Sequence, residues 1–277
     1  MYEEDFMDSI APEYLYVFDF EKNYSYLHTQ DWLLDNIVYC LCYVIFYVTV
    51  VIVGMSYMLE NPKFNLKRPR ALWYGLMALL SIIGFSRTAP ELFFALLHRS
   101  FYHSICLPSN YFQNPVSGFW SLALVILKFV QMFDTMFVVL QKQEMTFLHV
   151  YRHLSIIIYF YFTYTETTAA MRWFSVMEYF INFCMYSYYA LESMEYKVPL
   201  YLIITCRAMQ ILQMVTGYIL TIIAYNQRDV HKLNCYITYQ STAIGAIYYI
   251  AASYFYARYF YSTYISRKQK SKGRKLK

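Results

Sequence analysis

Long apolar runs separated by short polar segments dominate the pattern of this chain. Seven runs approach the ~20 mostly apolar residues that an α-helix needs to cross the hydrocarbon core of a bilayer. We therefore expect an all-α polytopic membrane protein with about seven transmembrane helices. The predicted spans lie near residues 35–59, 71–97, 118–140, 146–163, 173–191, 199–224 and 236–264.

The composition supports this prediction. Apolar and aromatic residues make up 59% of the 277 residues and charged residues only 15%, where a soluble domain usually has about 25% charged residues. Aromatic residues reach 21%, and tyrosine suits a membrane protein because its ring lies in lipid while its hydroxyl finds water or a partner. We expect a lumenal N-terminal segment (1–31), one transmembrane domain (32–265) and a basic cytosolic tail (266–277).

The two chain ends and the cysteines give further expectations. The chain opens on acidic residues and becomes apolar only near Trp32, which is not the pattern of a signal peptide. Four of the six cysteines lie inside apolar runs, but Cys106 and Cys235 fall near loops. These two can form a disulfide if both loops face the same oxidising lumen.

The distribution of lysine and arginine predicts the orientation. Loops one, three and five and the tail together hold thirteen basic residues, and the opposite side holds five. Basic residues favour the cytosolic side, so the C-terminus is expected in the cytosol and the N-terminus in the lumen. Asn23-Tyr24-Ser25 is a glycosylation sequon on the lumenal segment. The basic pair in Arg274–Lys277 resembles a retrieval signal for the endoplasmic reticulum, and attraction to anionic lipid is the alternative.

Polar residues inside the third run are the first candidates for a site. Lys128, Gln131, Asp134 and Thr135 fall within one third of the surface of a straight helix at about 100° per residue. A charge in the hydrocarbon core costs at least about 2.5–3.5 kcal/mol, so such residues usually serve function. An intramembrane ion pair that holds helices together is the structural alternative.

The fourth run carries two histidines one turn apart. His149 and His153 point the same way, with Arg152 beside them. Two histidines at this spacing could hold a metal with further ligands, but a membrane di-iron enzyme would need about eight, and this chain has six. We therefore expect neither a metal nor another cofactor. The later runs add polar side chains suited to interhelical hydrogen bonds, namely Tyr186, Tyr189, Gln210 and Gln213.

The order of these motifs resembles one family. Lys128-x-x-Gln-x-x-Asp-Thr is followed by His149-x-x-Arg-His, Met185-Tyr-Ser-Tyr-Tyr and the Gln210/Gln213 pair. Their order and spacing are similar to those of the ELO family of very-long-chain fatty acid elongases (3-oxoacyl-CoA synthases). The stretches at 87–88 and 114–120 look like the branch that acts on saturated and monounsaturated chains.

The resemblance implies a fold and a reaction. Six helices would surround a narrow tunnel, with one more helix outside. Acyl-CoA would enter from the cytosol, place its tail in the closed lumenal part, and condense with malonyl-CoA to give 3-oxoacyl-CoA, CO2 and CoA. The expected location is the endoplasmic reticulum membrane. The expected partners are long-chain acyl-CoA, malonyl-CoA, membrane lipid, the other enzymes of the elongation cycle and a second copy of the chain in a homodimer, and no nucleic acid.

The sequence departs from the family pattern at the catalytic positions. The family's glutamate is replaced by Gln131, the middle histidine of its box by Arg152, and the histidine of the next helix by Asn182. Glu178 stands where the family has asparagine, and Arg207 where it has threonine. In the family, a neutral imidazole attacks the thioester and carries the acyl group.

These replacements leave two interpretations open. Arginine is permanently protonated and an asparagine amide is not basic, so His149 and His153 are the remaining candidates for catalysis. The alternative is an inactive elongase-like protein that binds acyl-CoA or a fatty acid, in which Arg152 pairs with Asp134 or Glu178. A seven-helix receptor would have the same orientation but not the motif order. The predicted substrate-binding residues are Lys128, Gln131, Asp134, Thr135, Arg152, Tyr186, Tyr189, Gln210 and Gln213.

Overall fold

The computed structural model describes Pro12 and residues 14–266, and all regular structure within them is helical. The basic tail and most of the acidic start lie outside the described residues. A π-helical turn, Ala95–Arg99, extends α4, and another, Tyr261–Ser266, extends α11. The α-helices are α1 Asp19–Lys22, α2 Tyr26–Asp35, α3 Ile37–Glu60, α4 Lys67–Phe94, α5 Phe101–Cys106, α6 Pro115–Gln131, α7 Asp134–Leu140, α8 Phe147–Thr165, α9 Met171–Ser193, α10 Leu200–Asp229 and α11 Tyr239–Phe260.

The predicted apolar runs coincide with the long helices, which confirms an all-α membrane protein. The third run is covered by α6 and α7 together, and each of the others by one helix. Length and composition alone qualify four segments of the described chain as membrane spans, because α8, α9 and α11 are more polar. The full count of seven crossings stays a prediction. The four segments are Ile37–Glu60, Lys67–Arg99, Pro115–Leu140 and Leu200–Asp229.

Helices α4 and α6–α11 pack into one bundle, and α3 lies at its edge. The main pairs are α4 with α9, α10 with α11, and α6 with both α4 and α8. Helix α3 packs chiefly on α7 and buries only Tyr47, Val51 and Met58. Its other faces carry exposed apolar side chains such as Ile45 and Phe46, as expected for a helix in contact with lipid.

The third run is not a straight helix. Between α6 and α7, the N–H groups of Met132 and Phe133 donate to carbonyls three residues earlier, at 3.2 and 3.1 Å. Such bonds wind the chain at about 120° per residue rather than 100°, and short stretches of this kind often mark functional positions. The four polar residues of this run therefore lie on both sides of a tightened turn, Lys128 and Gln131 before it and Asp134 and Thr135 after it.

A disulfide and an N-terminal cap close one end of the bundle. Cys106, the last residue of α5, is bonded to Cys235 before α11, so the pairing left open by the sequence is formed. The backbone N–H of Tyr236 also donates to the carbonyl of Cys106 at 2.8 Å. Residues 14–25, before α2, fold over the same end, which the orientation prediction places in the lumen.

Glu21 holds this N-terminal cap in place. Its buried carboxylate accepts hydrogen bonds from Arg87 of α4 at 2.5 and 3.0 Å and from the Trp120 indole of α6 at 2.7 Å. The backbone N–H of Phe18 adds a fourth at 2.9 Å. Burial raises the pKa of Glu21, but the hydrogen bonds from Arg87, Trp120 and Phe18 outweigh it and leave the pKa below the ordinary 4.5.

Replacing Glu21 by glutamine is expected to weaken the protein in a pH-dependent way. At pH 7, Glu21→Gln should lose about 1.5–3 kcal/mol of stability, the range for hydrogen bonds to a charged group. Because the pKa is lower in the folded state, this contribution is complete above pH 4.5 and disappears as the pH falls through the folded-state value. The midpoints of thermal unfolding of variant and wild type should therefore converge on acidification. Exposed Asp19→Asn is the control, and a gap that stays constant with pH would contradict the assignment.

Candidate functional site

Five helices enclose a small polar cavity in the middle of the bundle. Its volume is about 20 Å³, which is room for about one water molecule. It brings together most of the residues singled out from the sequence. The lining residues are Lys128, Gln131, Arg152, His153, Ile156, Glu178, Ile181, Asn182, Met185, Tyr186, Gln210, Gln213, Met214 and Tyr256.

A buried ion pair forms one wall of this inner cavity. Lys128 is 1% exposed, and its Nζ lies 2.5 Å from Glu178 Oε1 and 3.1 Å from Gln131 Oε1. Gln213 Nε2 donates to the other carboxylate oxygen of Glu178 at 2.6 Å. The partner of Lys128 is thus a carboxylate on α9. The pairing matters because an unpaired buried charge is strongly destabilising.

Asp134 is held by two aromatic donors. Trp73 Nε1 of α4 donates to Oδ1 at 2.6 Å, and the Tyr186 hydroxyl of α9 donates to Oδ2 at 2.5 Å. With Glu178 also engaged, neither carboxylate pairs with Arg152. Within the described part of the chain, the guanidinium of Arg152 has no carboxylate partner. The predicted ion pair between Arg152 and Asp134 or Glu178 is therefore absent.

The neighbour of Arg152 is an imidazole. Its Nη2 lies 3.3 Å from Nε2 of His153. A guanidinium can only donate, so His153 Nε2 is the acceptor and the ring is neutral, with its proton on Nδ1. The lone pair of Nε2 is therefore directed at Arg152 rather than into the cavity.

His149 is also tied to a partner. Its Nε2 lies 3.0 Å from Thr135 Oγ1, which is 2.7 Å from the Tyr47 hydroxyl of α3. The rings of His149 and His153 are 4.7 Å apart. The two histidines stay the predicted catalytic candidates, and each uses its Nε2 in a contact within the protein.

A second, larger cavity lies beside the first. Its volume is about 340 Å³, and it lies where α4, α7 and α8 approach the predicted cytosolic side. We call this second cavity the vestibule. Arg152 lines both cavities, so it lies between the vestibule and the inner cavity. The vestibule is lined by Arg70, Tyr74, Asp134, Val138, Gln143, His149, Arg152, Tyr189 and Glu192.

Arg207 lies against tyrosines rather than carboxylates. Its Nη1 donates to Gln210 Oε1 at 3.2 Å and its Nη2 to the Tyr189 hydroxyl at 3.0 Å. The guanidinium also lies 5.7 and 5.6 Å from the ring centres of Tyr189 and Tyr259, within the range of cation–π contacts. Arg207 thus joins the predicted residues Tyr189 and Gln210 into one network.

Four aromatic rings close the inner cavity on its disulfide side. Tyr159 stacks on Tyr248 at 4.8 Å, Phe174 lies 5.6 Å from Tyr249, and the hydroxyl of Tyr249 donates to that of Tyr159 at 3.1 Å. All four are buried. We call these four residues the aromatic floor. They occupy the region where the family resemblance places the acyl tail, so a long chain can enter there only if rings turn.

A glycine makes room for the floor, and replacing it should destabilise the bundle. A Cβ at Gly217 would lie 2.3 Å from ring atoms of Tyr249, whereas one at exposed Gly75 would meet open space. Gly217→Ala should cost about 1–3 kcal/mol through overpacking, and Gly75→Ala should gain about 0.5–1 kcal/mol of helix stability. Thermal unfolding in the same detergent measures both. Equal shifts for the two variants would show that the ring of Tyr249 does not pack against Gly217.

The fold and site define a multi-pass helical membrane protein with an enclosed polar site at the centre of its bundle. The chain belongs to the ELO: GNS1/SUR4 family, whose model matches residues 32–272. This membership gives no support to the receptor alternative.

Similar proteins carry elongase names. A very long chain fatty acid elongase 6 from Drosophila melanogaster is 37% identical over 248 residues, covering 89% of this chain and 78% of that protein. The mouse protein of the same name is 29% identical, covering 84% and 87%. A putative fatty acid elongase 3 from Caenorhabditis elegans is 34% identical, covering 74% of this chain and 64% of that protein.

Sequence reasoning missed several residues of the site. Trp73 and Tyr47 supply hydrogen bonds to Asp134 and Thr135, and Tyr256 completes the cavity wall. Each lies in an apolar, aromatic-rich helix where many similar residues only pack. The sequence offers one signal for finding them: an indole or phenol buried in an apolar helix needs a hydrogen-bond partner.

Proposed function

We propose that this protein acts in fatty acid elongation, condensing a long-chain acyl-CoA with malonyl-CoA to 3-oxoacyl-CoA. The family membership over residues 32–272 carries the proposal. The geometry supports it: the polar cavity is enclosed in an apolar bundle and adjoins a vestibule of about 340 Å³. A thioester at the end of a long apolar chain needs such an arrangement, because its polar end must be held inside a low-dielectric bundle.

In the proposed reaction, two bonds break and one carbon–carbon bond forms. The acyl carbonyl carbon loses its bond to the sulfur of CoA, which leaves with the bonding pair as a thiolate and takes up a proton from solvent. Malonyl-CoA loses its free carboxylate as CO2. The electron pair left on the malonyl α-carbon then attacks the acyl carbonyl carbon. Lys128 and Gln131 line the cavity in which the carbonyl would lie, while His149 and Arg152 line the approach through the vestibule. His149 and His153 are the proposed proton carriers or nucleophiles.

The direct test is turnover by the purified full-length protein. Palmitoyl- or stearoyl-CoA would be supplied with malonyl-CoA labelled in the α-carbon, and labelled 3-oxoacyl-CoA and released CO2 would be measured. Formation of both labelled 3-oxoacyl-CoA and CO2 supports condensation. CO2 without 3-oxoacyl-CoA would indicate decarboxylation alone, and neither product from protein that still binds palmitoyl-CoA would reject catalysis.

A second candidate function is binding of acyl-CoA or fatty acid without turnover. It is favoured by Arg152 and Asn182, which line the cavity at the two positions where the family has its imidazole pair. Neither group can act as a nucleophile that later leaves. The turnover assay separates the two candidates if palmitoyl-CoA binding is measured on the same sample.

We also propose an endoplasmic reticulum location, with the N-terminus in the lumen and the C-terminus in the cytosol. The Cys106–Cys235 disulfide supports lumenal loops, because such bonds persist in oxidising compartments. Acyl-CoA and malonyl-CoA would then reach the vestibule from the cytosol. The proposed protein partners are the reductases and dehydratase that complete elongation, and a second copy of the chain.

The orientation can be tested at Asn23, which is exposed at the end of α1. Expression in eukaryotic cells should yield a glycosylated protein whose mobility increases after treatment with peptide-N-glycosidase. Asn23→Gln should abolish the shift. A tag-protection assay on the C-terminus provides the independent check: a lumenal tag would contradict the orientation even if Asn23 is left unmodified.

A further inference from the structure

The charges around the inner cavity do not balance. Two cations, Lys128 and Arg152, line it against one carboxylate, Glu178. Glu178 neutralises Lys128 at 2.5 Å, and Asp134 accepts from aromatic donors. Arg152 has no carboxylate partner in the part of the chain that the structure describes. A charge inside a membrane bundle is normally paired, so this position favours an anion.

Two buried amide groups beside Arg152 also lack a partner. Gln131 Nε2 and Asn182 Nδ2 are buried from solvent and donate to no acceptor within the described chain. The two residues are only 4% and 8% exposed. Both line the inner cavity with Arg152. The orientation of the Gln131 amide is determined, because its Oε1 accepts from Lys128, which can only donate. A buried donor without an acceptor is costly, so the cavity offers two N–H groups to a ligand oxygen.

We propose that Arg152, Gln131 and Asn182 form a binding site for the carboxylate of a free long-chain fatty acid. A guanidinium binds a carboxylate through two parallel hydrogen bonds, and the amide groups can donate to the remaining lone pairs. The charge then balances. The carbonyl of a thioester is neutral and would leave Arg152 uncompensated, so the site discriminates in favour of the free acid.

The surroundings of Arg152 provide an entry route and apolar contacts for the acyl chain of the fatty acid. Because Arg152 also lines the vestibule, the fatty acid can enter from the side on which acyl-CoA is proposed to arrive. Ile156, Ile181 and Met214 give the inner cavity an apolar wall. Because about 20 Å³ leaves no room for the chain, binding requires rings of the adjoining aromatic floor to turn. The inference rests on the proposed function only in using the same entry and the same cavity for an acyl chain.

Ligand binding to the purified full-length protein tests the site. Labelled palmitate should bind at least tenfold more tightly than hexadecanol, which has the same chain and no charge. Arg152→Gln should weaken palmitate binding at least tenfold, and Arg152→Lys less, because lysine keeps the charge without the two-pronged geometry. Arg258→Gln, at an exposed position of α11, should bind palmitate like wild type.

Asn182→Asp keeps the test decisive if Arg152→Gln fails to fold. This variant places a carboxylate of the protein beside Arg152, so palmitate binding should fall at least tenfold while the midpoint of thermal unfolding stays equal or rises. Unchanged palmitate binding in either folded variant would overturn the proposal.

Three further ligands, palmitoyl-CoA, malonyl-CoA and acetyl-CoA, separate this inference from the proposed function. If palmitoyl-CoA binds and turns over but palmitate does not bind, the carboxylate site is wrong and the elongase function stands. If palmitate binds through Arg152 but palmitoyl-CoA neither binds nor reacts, the function is wrong and the site stands. If Arg152→Gln weakens malonyl-CoA but not acetyl-CoA, and palmitate does not bind, the carboxylate belongs to the malonyl group and the fatty acid proposal fails.

Discussion

Glu178→Gln is expected to destabilise the protein by about 3–5 kcal/mol, the usual effect of removing one partner of a buried ion pair. The reason is Lys128, which is almost completely buried and has Glu178 as its only carboxylate partner within the described chain. The midpoint of thermal unfolding in detergent measures the loss. Exposed Glu192→Gln lies on the same helix and is the matched control, with an expected change within about 0.5 kcal/mol.

The same pair predicts a rescue. Glu178→Asn should destabilise as Glu178→Gln does, whereas Gln131→Glu alone adds a carboxylate to a cavity in which two cations face one carboxylate and should change the stability little. The double variant Gln131→Glu/Glu178→Asn moves the carboxylate from position 178 to position 131, where Gln131 Oε1 already lies 3.1 Å from Lys128 Nζ. Stability should then return close to wild type. A double-mutant cycle measures this coupling, and additive losses would show that the two positions do not share Lys128.

The largest gain of activity is expected from Arg152→His/Asn182→His. Both positions line the inner cavity, so the variant places two imidazoles around the same space. It also removes the guanidinium that engages Nε2 of His153. We expect condensation at least about 10²-fold faster than wild type, the lower end of the contribution of positioned acid–base groups. The labelled malonyl-CoA assay gives the rate.

Mass spectrometry of the intact protein adds a second readout. If an imidazole carries the acyl group, the double variant incubated with palmitoyl-CoA and no malonyl-CoA should gain one palmitoyl mass. Each single variant supplies one imidazole of the pair and should gain much less than the double variant. A wild-type protein that already matches the double variant in rate and acylation would contradict this prediction and assign the chemistry to His149 or His153.

Arg152 has two proposed roles, and the experiments above test one or the other. Arg152 occupies the lone pair of the neighbouring His153, and under the proposal that it replaces a family imidazole it would also remove a nucleophile. As an unpaired cation beside two free amide donors, it supplies an anion site. The two roles are compatible, because a site that binds a fatty acid carboxylate could limit the access of acyl-CoA to the same cavity. Competition between palmitate and palmitoyl-CoA for wild type measures that relation.

The sequence by itself determined the class of the protein and predicted many of the residues that line its central cavity. The apolar runs are local features, since about 20 consecutive residues decide whether a helix can cross a membrane. Polar residues within such runs are so costly that they identify the site without a structure. Lys128, Gln131, Arg152, His153, Tyr186, Gln210 and Gln213 were predicted in this way and do line one cavity.

Only the tertiary structure decided which of these residues are partners. Lys128 and Glu178 are 50 positions apart, and no helical periodicity relates residues on different helices. The split of the third run at Met132 was likewise invisible, because no glycine or proline marks it. The sequence suggested Asp134 or Glu178 as the partner of Arg152. In the packed bundle, Asp134 instead accepts from Trp73 and Tyr186, and Glu178 pairs with Lys128. An ion pair depends on distances between charges, and only the arrangement of the helices sets these distances.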